Sequence, residues 1–325
     1  MDLTLHPLTS ADVPAWAELL TAIEAVDRTG DHYDEGDLQE ELANPEVEVG
    51  KDFVGARAGG ELLGYFSVLP RGETGSTFKV QVEGAVRPDA RGRGIGTALV
   101  TAMLDRAVEA ARERRPDLPV RVIVTGLSAN TAQAELFETF GLRPERWEFA
   151  MRVRLDQVPS ADGDGPSVAG YDLRPYEASM DQPVLAAHNS AFLDHPDFTP
   201  WSAALWHQFV TGSKAFRPDL SFVAVPAGTD TIAAYLQTDE YEGYQAATGR
   251  REAYVSKLGT VRGHRGRGLA SGLLSHALRA YQEAGYDESS LHVDSQNPTG
   301  ALAVYQRAGF EVETRLTSYA ALLGA

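Results

Sequence analysis

Apolar residues recur along this chain with two periods, near two and near 3.6, and the order in which the periods follow one another occurs twice. The first half predicts a strand at Leu3–His6, then a helix through "ADVPAWAELLTAIEAV" with Ser10 as its N-cap, and a second helix at Gly36–Ala43. "DFVGARAGGELLGYFSVL" alternates like a hairpin turning at Gly59-Gly60. A strand at Phe78–Val86, a helix from Ile95 to Arg114, the buried strand "VRVIVTGL", a helix at Thr131–Phe140 and a strand at Trp147–Leu155 complete the set.

The second half predicts the same plan. A strand at Tyr171–Arg174 precedes helices at Gln182–Phe192 and Ser202–Thr211, and strands follow at Ser221–Val225, Thr231–Tyr241 and Glu252–Thr260. Helix Gly268–Ala284, strand Ser289–Val293, helix Thr299–Arg307 and strand Phe310–Tyr319 end it. Between the halves, "DQVPSADGDGPSVAG" is rich in Gly, Pro, Ser and Asp and poor in large apolar residues. The expected organisation is two α/β layer domains, 1–156 and 171–325, joined by a linker at 157–170.

The repetition is closest at "AVRPDARGRGIGTALVTAML" (Ala85–Leu104) and "TVRGHRGRGLASGLLSHAL" (Thr260–Leu278). Setting Arg91 on Arg265, an offset of 174 positions, superposes Arg-Gly-Arg-Gly and then Ile95 on Leu269, Gly96 on Ala270 and Thr97 on Ser271. Glycines before a helix let main-chain N–H groups approach a ligand, and the helix start adds unpaired N–H groups and a positive dipole end. That is the chemistry of a phosphate cradle, which arginines reinforce with charge-assisted bonds. Taken singly, such a loop also reads as a basic turn before a helix; two copies at matched positions favour the cradle. A dinucleotide fingerprint would need glycine where Thr97 and Ser271 stand, and no Gly-Lys-[Ser/Thr] of a Walker loop occurs.

Composition narrows the field further. The 325 residues carry a net charge of −17, which argues against general nucleic-acid affinity and is compatible with a cationic substrate. Absence of cysteine removes disulfides, thiolate metal sites and cysteine nucleophiles, and the histidines show no zinc-site spacing, so no metal is expected. No apolar run has the length of a membrane span and "MDLTLHPLTSADVPAW" lacks the regions of a signal peptide, so a cytoplasmic location is the expectation. Oligomeric state has no signature.

The two loops resemble the R-x-x-G-x-G/A loop of the GCN5-related N-acetyltransferase (GNAT) family. They stand as Arg91-Gly92-Arg93-Gly94-Ile95-Gly96 and Arg265-Gly266-Arg267-Gly268-Leu269-Ala270. The resemblance implies two tandem GNAT domains, each a mixed, mostly antiparallel central sheet flanked by helices. It further implies acetyl-coenzyme A as cosubstrate, its pyrophosphate held by these loops with Thr97 and Ser271. The strand before each loop, with Val86 in the first copy and Leu258 and Thr260 in the second, would pair with pantetheine, and a main-chain N–H would polarise the thioester carbonyl.

"LHVDSQNPTGALAVYQRAGFEVE" (Leu291–Glu313) is similar to a second family element. By that likeness Asn297 contacts the pantetheine arm or its water network and Tyr305 protonates the departing thiolate; on the residues alone, Tyr305 also reads as a core aromatic of an amphipathic helix. The corresponding "TGLSANTAQAELFETFGLRPE" places Phe137 where Tyr305 stands and shifts Asn130 by one position relative to Asn297. Chemistry is therefore expected in the C-terminal half, with the first half structural or binding coenzyme A without turnover, a division similar to that of tandem members of the family such as mycothiol synthase.

"VLAAHNSAFLDHPDF" resembles the helix that opens the second half of that group, making His188, Asn189, Phe192 and His195 candidate acceptor contacts; His195 reads equally as a plain loop residue. Glu252 and Asp294 are the candidates for a general base acting through water, and each reads also as a solvated strand-end carboxylate. "TDEYEGYQAATGRREAY" is a polar connection able to cover an acceptor. The expected function is transfer of acetyl to a primary amine of a small molecule, with non-catalytic acyl-coenzyme A binding as the alternative.

Overall fold

The computed structural model describes residues 2–159, 167–194, 198–296 and 300–324. Its strands are β1 (Thr4–Pro7), β2 (Phe53–Ala58), β3 (Glu61–Thr74), β4 (Thr77–Val86), β5 (Val120–Leu127), β6 (Arg143–Arg154), β7 (Tyr171–Pro175), β8 (Phe222–Pro226), β9 (Ala234–Asp239), β10 (Glu252–Thr260), β11 (Glu288–Asp294) and β12 (Glu311–Leu323). The α-helices are α1 (Val13–Asp27), α2 (Glu35–Leu42), α3 (Val49–Asp52), α4 (Ile95–Arg114), α5 (Thr131–Thr139), α6 (Asp181–Phe192), α7 (Ala203–Trp206), α8 (Glu242–Thr248), α9 (Leu269–Glu283) and α10 (Ala301–Arg307).

The chain forms two compact units, Met1–Glu148 with Arg315–Ala325, and Phe149–Thr314. These differ from a division at the 157–170 linker because the last strand of each repeat is placed by pairing rather than by chain order. In the first unit the order is β1-β2-β3-β4-β5-β12, with β4 and β5 parallel, the earlier neighbours antiparallel, and Leu316–Leu323 running antiparallel to Leu127–Val120. In the second unit β7-β8-β9-β10 is antiparallel, β10 and β11 are parallel, and β11 also neighbours β6. Each unit is thus a mixed, mostly antiparallel sheet flanked by helices.

Helix α9 shows why the pattern folds this way. Leu269, Leu273, Leu274, Ala277, Leu278 and Tyr281 fall on one stripe and are buried against Leu236, Val255 and Leu291 of the sheet. Helix α4 does the same in the first unit through Ile95, Leu99, Met103 and Ala107 against Val80, Val82 and Val122. The opposite sheet faces are covered by α1, which buries Trp16 and Leu19 beside Tyr65, and by α6, which packs with Trp206 and Tyr235.

Local differences from the sequence expectations have identifiable causes. Thr9, not Ser10, opens the first helical segment, because its main-chain N and hydroxyl both bond Asp12 at 2.9 Å and a 3-10 turn precedes α1. The helix expected over Ser202–Thr211 starts as α7 and finishes as a π-turn over His207–Thr211, where Gly212 N bonds His207 O at 2.7 Å.

Candidate functional site

In both units the two glycines of the loop adopt left-handed backbone angles, with φ of +74° and +82° at Gly92 and Gly94 and of +73° and +79° at Gly266 and Gly268. A Cβ at any of the four would meet nothing within 4 Å, so conformation rather than crowding requires glycine there. Helices α4 and α9 begin immediately after Gly94 and Gly268, leaving their first N–H groups facing the loop.

The leading arginines do other work than the cradle reading gave them. Arg91 bonds both Asp27 oxygens at 2.7 and 2.6 Å and directs Nε to Val86 O at 3.0 Å. Arg265 repeats the arrangement with Asp194 at 2.8 Å, Ala191 O at 2.7 Å and Thr260 O at 3.3 Å. Each guanidinium ties strand end and loop to the helix on the other side of the sheet. Arg93 bonds Asp89 O at 2.7 Å, and Arg267 is exposed.

The units part company in the strand before the loop. Strand β4 pairs with β3 without interruption from Val80 to Val86. In β10 the register shifts, with Val255 opposite Thr238 but Lys257 opposite Gln237, so Ser256 is an extra residue whose counterpart by the 174-residue offset is Val82. Parallel pairing of β10 with β11 ends at Tyr254 and Ser290, and the unpaired continuations of both strands diverge around a cavity of about 940 Å³.

That cavity is lined by Leu258, Thr260, Arg265, Gly266, Gly268, Ala270 and Ser271 from β10 and the loop. His188 and Phe192 from α6, Asp294 from β11 and Tyr305 from α10 also line it, so the structure gathers these predicted residues around one space. In the first unit, Leu136 Cδ2 would lie 3.1 Å from a Cβ on Gly96, and Gln133 Oε1 2.3 Å from one on Gly126. Side chains of α5 therefore rest on the backbone where the second unit opens, with Val86 also beside Gly96 at 3.9 Å from such a Cβ and Thr97 exposed.

Tyr305 is 7% exposed, and its hydroxyl has no hydrogen-bond partner among the described residues. Burial raises its pKa to about 12, keeping the phenol protonated. Phe137 at the matching place stacks edge-on against Tyr319 at 5.3 Å. His188 is buried, Nδ1 lying 2.6 Å from Tyr235 Oη, and desolvation followed by the field of Lys257 lowers its pKa to about 3, so the ring is neutral. Asp294 accepts from Gln296 N at 2.9 Å at the end of β11.

Glu252, Asn189 and Arg267 of the second unit, and the polar connection after β9, stand apart from the cavity lining. Glu252 lies at the far end of β10 from the loop, buried and paired with Arg152, which also bonds Glu288 at 3.1 Å. Burial raises its pKa, and Arg152 opposes that rise. Asn189 is occupied on both sides by the main chain of Trp201, at 3.0 and 2.8 Å. The 241–251 connection folds as α8 and buries Tyr244, whose hydroxyl bonds Glu288, away from the cavity lining. His195 and Asn297 lie outside the described residues. No sequence signal marks Ser256, Lys257 or Gln237, because the bulge that arranges them is a property of strand pairing.

Among the described residues no helix is long and apolar enough to cross a membrane, and no group of three His, Asp or Glu is placed to hold a metal ion.

Residues 14–142 and 184–310 match the Acetyltransferase (GNAT) family. A mycothiol acetyltransferase of Parafrankia sp. is 28% identical over 97% of this chain and 96% of its own length. One from Mycolicibacterium vanbaalenii is 30% identical over 80% of each. The crystal structure of a GCN5-related N-acetyltransferase from Sphaerobacter thermophilus superposes with a TM-score of 0.77 at 25% identity, covering 99% of this chain and 96% of that one. A tandem GNAT protein from the clavulanic acid biosynthesis pathway shares the fold, with a TM-score of 0.70 at 21% identity over 100% and 99% of the two chains. With one family match in each half, a glycine loop at the start of α4 and of α9, and a split sheet beside the second loop, this chain is an acetyltransferase and belongs to the GNAT family.

Proposed function

We propose that the second unit transfers acetyl from acetyl-coenzyme A to the amine of a small molecule, and that the first unit is structural. The observation that carries this is the Tyr305 hydroxyl, buried and unpartnered in the cavity opened by the Ser256 bulge. The residues fit the cosubstrate: N–H groups at the Gly266–Gly268 loop and the start of α9 suit a pyrophosphate, and the unpaired edge of β10 from Ser256 to Thr260 suits an extended amide arm.

When bound, acetyl-coenzyme A supplies the activated acyl group. The chain's own residues do the rest. The bulge at Ser256 leaves main-chain N–H groups available to a developing oxyanion. As the amine nitrogen bonds the acetyl carbon, the C–S bond breaks and Tyr305 gives its proton to the sulfur. The amine proton leaves through water to Asp294, the candidate base that lines the cavity. The names of the relatives support a small acceptor.

Purified protein incubated with acetyl-coenzyme A and a panel of amines, read by thiol release, tests the reading. Tyr305→Phe is expected to lower kcat by about 10²- to 10⁴-fold with acetyl-coenzyme A affinity unchanged. An unaltered kcat removes Tyr305 as the acid, and loss of affinity without loss of kcat assigns it to binding instead.

A further inference from the structure

Tyr235, Gln237 and Lys257 share the face of β9 and β10 that meets α6, since Gln237 pairs directly with Lys257 and Tyr235 lies two residues away along β9. Three polar groups there lack a hydrogen-bond or ion-pair partner among the described residues. The Gln237 amide is 1% exposed with both Oε1 and Nε2 unsatisfied. His188 Nε2 is buried and unsatisfied, its other nitrogen being held by Tyr235. The Lys257 ammonium faces the cavity 5.2 Å from the Trp201 ring centroid, with no carboxylate in ion-pair range.

Aromatic rings wall this corner. Phe192, Phe198, Trp201 and Trp206 surround His188 with centroid distances of 4.9 to 5.5 Å. Such groups are normally satisfied when buried, and a cluster left open beside a cavity is prepared for something that enters. Donors outnumber acceptors in it. Lysine offers three donors and no acceptor, and the glutamine amide two beside its one acceptor oxygen. Where Tyr235 donates to Nδ1, the neutral histidine carries its proton on Nε2 and adds a further donor to those of Lys257 and Gln237. A carboxylate complements this set and cancels the buried positive charge, whereas a polyamine or other cation is repelled by it. Desolvation pulls the Lys257 pKa down, opposed by the field of Asp239, consistent with a charge that still lacks its counterion.

The duplication shows that the fold does not demand a lysine here. The residue 174 positions earlier is Glu83, bonded to the Tyr65 hydroxyl at 2.6 Å. The second unit has the opposite charge at the same register position. The acidity of the whole chain, read in sequence as favouring a cationic acceptor, is thus reversed at the site itself.

We infer that the acceptor amine carries a free carboxylate, as amino acids and their derivatives do, and that Lys257, Gln237 and His188 hold it beside the acetyl group. The inference rests on the acetyl-transfer reading above and specifies its substrate class.

The test compares amino acids with their carboxamides as acceptors, alongside a polyamine and an amino sugar, in the thiol-release assay on the full chain. The expected result is a preference for the acid by about 10- to 100-fold in kcat/KM, the range of one charge-assisted hydrogen bond. Lys257→Met is expected to bring the acid-to-amide ratio near one. Gln237→Leu should raise the acceptor KM while raising Tm, because it removes an unsatisfied buried amide. Equal or better turnover of amines without a carboxylate, or an acid-to-amide ratio that survives Lys257→Met, overturns the inference.

A binding arm separates the two readings. N-acetyl amino acids and their amides are titrated into protein saturated with coenzyme A, read by calorimetry. Carboxylate-dependent binding lost in Lys257→Met, together with no turnover of any amine, upholds the subsite and overturns the transfer reading. Absence of carboxylate dependence in both arms overturns the subsite.

Discussion

The guanidinium of Arg91 grips the carboxylate of Asp27 through both terminal nitrogens, at 2.7 and 2.6 Å. The second unit repeats the tie between Arg265 and Asp194, at 2.8 Å. The first pair is partly buried and the second lies nearer the surface, and both link a glycine loop to a helix on the far side of the sheet. Asp27→Asn is expected to lower stability by about 1–2 kcal/mol, seen as a Tm drop of roughly 2–8 °C, with the transfer rate below that temperature unchanged. Asp194→Asn should raise the KM for acetyl-coenzyme A as well, because the loop it steadies belongs to the cavity.

Gly94→Ala and Gly268→Ala form a matched pair. Each puts a side chain on a left-handed residue, at φ of +82° and +79°, with open space around the new Cβ. Each should cost about 1–2 kcal/mol of stability by denaturant titration. Only Gly268→Ala should weaken acetyl-coenzyme A, and calorimetry should find one site per chain, since Leu136 and Gln133 lie on the corresponding backbone of the first unit.

Gly259 lets the Tyr235 ring lie on β10. A Cβ there would sit 2.6 Å from the ring and 2.9 Å from its hydroxyl. Gly259→Ala therefore displaces Tyr235 and, through the 2.6 Å hydrogen bond, His188. A stability loss of about 1–3 kcal/mol and a raised acceptor KM are expected, measured by thermal unfolding and steady-state kinetics.

Two groups give opposite dependences of stability on pH. His188, with its pKa lowered from 6.5 to about 3, binds its proton more readily in the unfolded chain. Its contribution is lost as pH falls from 6.5 toward 3, at no more than about 1.4 kcal/mol per pH unit. Glu41 in the first unit is raised from 4.5 to about 7, mainly by burial and then by Glu83, so it binds its proton more readily when folded. That contribution is lost as pH rises from 4.5 toward 7. Unfolding curves of the full chain should therefore flatten on the acid side in His188→Gln and on the neutral side in Glu41→Gln.

Much of the fold was legible because its signals are local. Helix Ile95–Arg114 and strand Val120–Leu127 were read with their observed ends from side-chain period and flanking turns. The glycine loops were legible because left-handed backbone leaves glycine as its trace in the sequence. The partners of Arg91 and Arg265 were not, since Asp27 and Asp194 lie 64 and 71 residues away in sequence. Nor was the Ser256 bulge, whose extra residue is defined only against Thr238 and Gln237 on β9. Without the bulge, nothing singles Lys257 out from other lysines, and the chemistry of the acceptor corner stays hidden behind the net charge of the chain.

Strand β12 carries a consequence for biosynthesis. The sheet of the first unit continues from β5 to Leu316–Leu323, so the half translated first needs residues that follow the second unit along the chain. Until those leave the ribosome, β5 presents an open edge with unpaired main-chain groups, a hazard for association between nascent chains. The two halves of this duplication are therefore not beads that mature in order; cutting the gene at the linker would separate β12 from β5 and β6 from β11, leaving each fragment with a strand that pairs in the other unit.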